Sequence, residues 1–218
     1  MTAGAGAAEG PGKDCPRCPR LAAFRRANRA EFPDWHNAPV PSFGGLGARL
    51  LIVGLAPGLR GANRTGRPFT GDWAGDLLYG TLLKFGLARG HYAERADDGL
   101  ALADCRVSNA VRCVPPENKP SGGEVAACRP FLKSEIESLR RLKIVLALGS
   151  IAHGAVLAAL GLRVSAFKFR HGAMHAMEDG LTLADSYHCS RYNTNTGRLT
   201  VEMFEKVFAA IRARLDRA

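Results

Sequence analysis

The chain has 218 residues, 46% of them hydrophobic and 23% charged. That length suits one domain, and the composition supports a full core and excludes global disorder. Lys and Arg number 30 against 20 Asp and Glu, and the net charge of +10 favours an acidic partner such as nucleic acid or anionic lipid.

Residues 1–12, Met1 to Gly12, are small and uncharged apart from Glu9. They read as a disordered lead-in without the basic start and apolar run of a targeting signal, leaving 13–218 as a single domain. No apolar stretch approaches the ~18 residues of a membrane span, so a cytoplasmic protein without a membrane partner is expected. In that setting the six cysteines, Cys15, Cys18, Cys105, Cys113, Cys128 and Cys189, are expected as ligands or free thiols, not disulfides.

Four apolar runs predict buried strands: Leu50–Leu55, Arg106–Val111, Ile144–Leu148 and Leu181–Ser186. The first and third are continuous Ile/Val/Leu, as in strands covered on both faces. Helical patterns lie between and after them. Gly75–Phe85 puts Leu78, Leu82 and Phe85 on one face. Glu124–Leu142 opens on a capping-box spacing from Ser121 to Glu124, and Pro130 predicts a break or kink inside it. Ile151–Leu160 follows the third strand, and a last helix from near Thr200 carries Phe204, Phe208, Ile211 and Leu215 on one stripe. The segment Ala166–Met177 can add a strand or cross the surface. The alternation predicts an α/β fold, a three-layer α/β/α domain on a central, mainly parallel four-stranded sheet. Such sheets bind ligands beyond the carboxyl ends of their strands.

The residues at those ends are therefore the candidates. After the first strand come Gly54-Leu-Ala-Pro-Gly58 and then a loop from Arg60 to Asp72. Its glycines allow close backbone approach, and Arg60, Arg64 and Arg67 offer forks for phosphate, or are simply solvated. The Gly-x4-Gly-Lys-Ser/Thr phosphate loop is missing. Asp72 suits a helix N-cap or a carboxylate held at the crevice. Asn109 can read a nucleobase edge or satisfy local backbone. His188 can donate to a developing anion or cap its turn, within Ser186-Tyr-His-Cys-Ser-Arg191. Cys15 and Cys18 are spaced C-x2-C, and Cys113 and Cys128 C-x14-C; four such thiols could ligate tetrahedral zinc or a [4Fe-4S] cluster.

The block from Gly54 to Gly58 and from Gly61 to Asp72, with Asn109-Ala-Val-Arg-Cys113 and with Ser186-Tyr-His188 and Asn195-Thr-Gly-Arg-Leu-Thr200, resembles the motifs of the iron–sulfur uracil-DNA glycosylases. The family 5, or B-type, branch is the closest match, and the likeness runs over about residues 13–210. The resemblance implies that family's α/β/α fold, a structural [4Fe-4S] cluster on Cys15, Cys18, Cys113 and Cys128, and monofunctional excision of uracil and other deaminated bases, such as hypoxanthine, from double-stranded DNA by a monomer in base excision repair. It implies a substrate pocket of Gly54, Ala56, Pro57, Gly58, Asn63, Phe69, Asn109 and His188. Within it Phe69 stacks on the flipped base, Asn109 reads its edge, His188 stabilises the departing base and Asp72 is the catalytic carboxylate. Ala56 stands where uracil-specific branches carry an acidic or amide residue. Arg60, Arg64, Arg67, Ser190, Arg191 and Arg198 are expected along the DNA backbone.

Two departures stand out. Cys189 replaces the family's usual Pro after the histidine and is expected to loosen that loop. Ala74 replaces a common Ser two residues after Asp72, removing one hydroxyl. Two other readings fit charge and cysteines alone. A non-catalytic, metal-stapled nucleic-acid-binding protein predicts salt-sensitive binding without an abasic product. An iron–sulfur electron carrier predicts reversible reduction and indifference to damaged DNA.

Overall fold

The computed structural model describes residues 10–177 and 180–217. Most of the expected lead-in, residues 1–9, lies outside them. Leu50, Ile52, Ile144 and Leu146 face one core, while Leu51, Val53, Val145 and Ala147 face a second. Alternate side chains of continuous apolar strands thus serve opposite faces, and helices must cover both.

The strands are β1 (Leu50–Gly54), a short hairpin of β2 (Ala88–Arg89) and β3 (Ala101–Leu102), then β4 (Cys105–Asn109), β5 (Ile144–Leu148), β6 (Met174–Ala176) and β7 (Thr182–Ser186). The central sheet runs β4-β1-β5-β7-β6. Its first four strands are parallel, and β6 pairs antiparallel with β7, Met174 opposite Ala184. The expected four-stranded sheet therefore has a fifth strand at its edge. Three residues are too few to show a period, and pairing with β7 makes them a strand.

The helices are α1 (Pro19–Glu31), α2 (Ala62–Thr65), α3 (Trp73–Lys84), α4 (Gly122–Ser138), α5 (Ser150–Ala159), α6 (Arg191–Asn195) and α7 (Val201–Leu215). α3 and α7 pack on the first core and α4 and α5 on the second, which gives the three layers. α7 starts where Thr200 accepts from the Met203 amide, and it buries Phe204, Val207, Phe208, Ile211 and Leu215. α4 has the complete Ser121–Glu124 capping box.

Of the break or kink expected at Pro130, the break does not occur, and α4 continues through it. Tertiary contacts hold the helix on both sides of the lost hydrogen bond. Phe131, Leu132 and Ile136 are buried. The wholly buried Glu135 binds Arg106 at 2.8 Å, Ser108 at 2.7 Å and Arg112, locking α4 to the end of β4. Among the described residues, no helix is long and apolar enough to cross a membrane.

Candidate active site

β1 ends at Gly54 and β4 at Asn109, which are register partners on adjacent strands. A Cβ on Gly54 would overlap the Phe69 ring and the Asn109 side-chain oxygen. Only glycine leaves room for both at the floor of a cavity of about 40 Å³, which Ala56, Pro57, Gly58, Ala62, Phe69, Asp72, Ala74, Asn109 and His188 line.

Phe69 takes a left-handed backbone with φ 52°, a strained conformation for an aromatic residue. Its neighbours impose it. Tyr79 donates its hydroxyl to the Pro68 carbonyl at 2.5 Å, and Tyr92 donates to the Phe69 carbonyl at 3.3 Å. The expectation that Arg67 meets DNA phosphate is corrected here. Arg67 is 4% exposed, forks onto Asp98 at 2.8 and 2.7 Å and donates to the Thr70 hydroxyl at 2.8 Å. It lies over the rings of Phe43, Tyr79 and Tyr92, and its hydrogen bonds hold the Asp98 carboxyl well below the ordinary range. A buried, doubly paired guanidinium has no capacity left for phosphate; it fixes the Phe69 turn instead.

Asp72 sits at the N-cap position of α3 but makes no side-chain cap hydrogen bond. Its Oδ1 is buried without a partner, as is Oδ1 of Asn109. Gly58 and Gly61 crowd the carboxylate so closely that a Cβ at Gly61 would overlap it. Burial raises the Asp72 carboxyl above the ordinary aspartate range, opposed in part by the amides of Gly75 and Ala74. Across the cavity, the His188 ring lies 5.8 Å from Phe69 at an interplanar angle of 27°. Burial pushes its imidazole down to about 4, so it is neutral at physiological pH.

The loop behind His188 is anchored. The Asn193 amide donates to the His188 carbonyl at 2.8 Å. Cys189 is wholly buried, and its thiol points to the Ala74 carbonyl at 3.5 Å. Cysteine at 189 therefore packs the loop onto α3 and does not loosen it. Asn63 is a second correction: its amide donates to Asn37 at 2.9 Å, which commits the side chain to a neighbouring loop, away from the cavity.

A larger cavity of about 600 Å³ adjoins the first, sharing Ala56, Gly58, Asp72, Ala74 and His188 and adding Trp73, Asn118, Gly149, Ile151, Ser190 and Arg191. Arg191 reaches over the Trp73 ring and Arg198 over Tyr187. Arg60 and Arg64 are exposed. Ser190 caps α6, accepting from the Asn193 amide. Sequence reasoning missed Trp73, Asn118, Gly149 and Ile151. Gly149 directly follows a strand, a signal that could have found it.

The four proposed ligand cysteines surround one apolar recess walled by Leu21, Val111 and Phe131. All are free thiols. Arg25 donates to the Cys113 sulfur at 3.5 Å and the Arg112 amide to the Cys128 sulfur at 3.4 Å, contacts that suit thiolate ligands. Burial pushes Cys113 up to about 11 and raises Cys18 and Cys128 as well, so thiolates there need an adjacent cation. Among the described residues, the ligand trio whose atoms all lie within 4.8 Å of one another is found elsewhere.

A family model described as the uracil DNA glycosylase superfamily matches residues 41–212. A Type-5 uracil-DNA glycosylase of Thermus thermophilus is 48% identical over 200 residues, 88% of this chain and 90% of the relative. One of Pyrobaculum aerophilum, also Type-5, is 42% identical over 198 residues, 89% of this chain and 86% of the relative. A Type-4 enzyme from the same organism is 36% identical over 152 residues, 69% of this chain and 63% of its own length.

Proposed function

The chain belongs to the uracil-DNA glycosylase superfamily, and on that footing we propose that it hydrolyses the N-glycosidic bond of uracil and hypoxanthine in double-stranded DNA, leaving an abasic site. The observation that carries the reading is the pair of orphaned oxygens, on Asp72 and Asn109, in one small cavity with Phe69 and His188. Buried polar atoms without partners are costly, and a ligand that supplies the missing hydrogen bonds explains them.

The base must first leave the helix stack, at a cost of a few kcal/mol. Phe69 then stacks on it and Asn109 accepts from its edge. Bond breaking puts negative charge on the base and positive charge on the sugar. His188, neutral and held in place, donates one N–H toward the base and stabilises that charge without first losing a proton. The Asp72 carboxylate stabilises the cationic sugar and orients the attacking water, as carboxylates do in glycoside hydrolysis. Ala56 has no group to share that work, so Asp72 carries it alone.

Cys15, Cys18, Cys113 and Cys128 would hold a [4Fe-4S] cluster; the gathering of all four thiols round one recess and the donors to the Cys113 and Cys128 sulfurs support a common metal group there. Bound there, the cluster ties the segment before α1 to α4 and the loop after β4.

Duplexes containing uracil, hypoxanthine or only thymine test the activity. Alkali-labile sites are expected with the first two and not with thymine. Salt-sensitive binding without any abasic product would return the chain to the class of metal-stapled binding proteins. Arg60, Arg64, Arg191 and Arg198 are proposed to face phosphate. Each neutralised phosphate steepens the fall of log affinity with log salt by about 0.9. Arg191→Ala is expected to reduce that slope by about 1, read from binding isotherms at several salt concentrations. An unchanged slope would remove Arg191 from the interface.

A further inference from the structure

Asp185 lies in β7, three residues before His188, and is wholly buried. Among the described residues, no Lys or Arg side chain pairs with it. Its partners are His153 Nδ1 at 2.7 Å, His175 Nε2 at 3.0 Å and the Arg170 amide at 3.3 Å. A carboxylate removed from water needs a compensating cation, from a charged side chain or a metal.

The second nitrogen of His153 lies 2.9 Å from the Phe167 carbonyl. Metal-binding histidines are oriented in this way, with the distal N–H given to a backbone carbonyl. It turns Nδ1 toward the carboxylate. His153, His175 and Asp185 come from α5, β6 and β7, and one ligand atom from each lies within 4.8 Å of the others. Two imidazoles and one carboxylate are a donor set suited to zinc. His175 is partly exposed, which gives an ion a way in.

We propose that His153, His175 and Asp185 form a second metal site, separate from the cysteines, that binds Zn²⁺ and clamps α5 to the β6–β7 edge of the sheet. Each nitrogen of His153 faces an acceptor, so without a cation a proton must sit between Nδ1 and Asp185. Zn²⁺ takes the place of that proton, which leaves to solvent. The His175 proton moves from Nε2 to Nδ1, freeing Nε2 to bind, and water completes the coordination.

The test uses protein as purified, with its native metal content, equilibrated with Zn²⁺ and freed of excess by gel filtration. Elemental analysis is expected to find one zinc per chain. X-ray absorption at the zinc edge is expected to show nitrogen and oxygen neighbours only. Zinc should raise the melting temperature of the wild type and not of His175→Gln, which keeps an amide donor for Asp185 but loses the imidazole and should retain no zinc. Wild type that retains no zinc, sulfur neighbours around the zinc, or a His175→Gln variant that still binds a full equivalent would each overturn the site.

Discussion

Asp72→Asn is expected to slow single-turnover excision of uracil by about 10²–10⁴-fold, the range for losing one general acid–base group, while raising the melting temperature at neutral pH. The two effects share one cause. The carboxylate is buried with an orphaned oxygen, and its pKa in the fold is raised by burial. A carboxyl whose folded pKa exceeds its unfolded value holds its proton more tightly when folded. Its stabilisation is complete below the unfolded pKa and is lost as pH rises through the folded one. At neutral pH the charged Asp72 therefore opposes folding, and asparagine removes that opposition.

The pH profile follows with its own sign. The active form is the carboxylate, so wild-type excision should fall as pH drops through the raised pKa of Asp72. The assignment of catalysis to the Asp72 carboxylate requires that this limb vanish in the residual activity of Asp72→Asn. Near-wild-type single-turnover cleavage by a well-folded Asp72→Asn would reject the assignment. A variant less stable than wild type would reject the account of its burial.

At the proposed cluster site, Cys113→Ser is expected to abolish iron binding and visible absorption. Loss of a structural metal belongs with the mutational effects above about 4–5 kcal/mol. At about 2–4 °C per kcal/mol for a chain of this size, the melting temperature should fall by about 8–20 °C. The reason lies in what the cysteines join. Cys15 and Cys18 precede α1, Cys113 follows β4 and Cys128 lies in α4. The apolar contacts among these parts are a small cluster of Leu21, Val111, Cys128 and Phe131. Iron analysis, absorption spectra and thermal melts check this together. A colourless wild type with one zinc per chain would remove the cluster, and an unchanged melting temperature on losing iron would remove its structural role.

Much of this arrangement is legible in the sequence because the signals are local. The β1 and β5 runs are continuous and apolar, so burial on both faces follows directly. The Ser121–Glu124 box and the Thr200 cap mark two helix starts through bonds spanning three residues. The glycine-rich motif, Asn109 and His188 fall at strand ends by position alone. Three features were not legible. Pro130 reads as a helix breaker until Glu135 and its two arginines are seen to fasten α4. Arg67 reads like Arg60 and Arg64, since nothing near it in sequence points to Asp98, thirty-one residues away. The edge strand β6 was only one of two readings open for Ala166–Met177, and its pairing with β7 decides between them.

The sequence by itself determined the order of the four parallel strands and of α3, α4, α5 and α7 among them, the residue types at the strand ends and the excess of positive charge, because period, capping and composition act over a few residues. α1, α2, α6 and the β2–β3 hairpin came from the tertiary structure. Only the tertiary structure decided which of those groups face the cavity and which are spent on the fold. That choice rests on burial and long-range pairing: Arg67 is neutralised by Asp98, Asn63 is bound to Asn37, and Asp72 and Asn109 are left with unsatisfied oxygens. The same packing brings two histidines from separate elements onto Asp185, a convergence that no spacing along the chain announces.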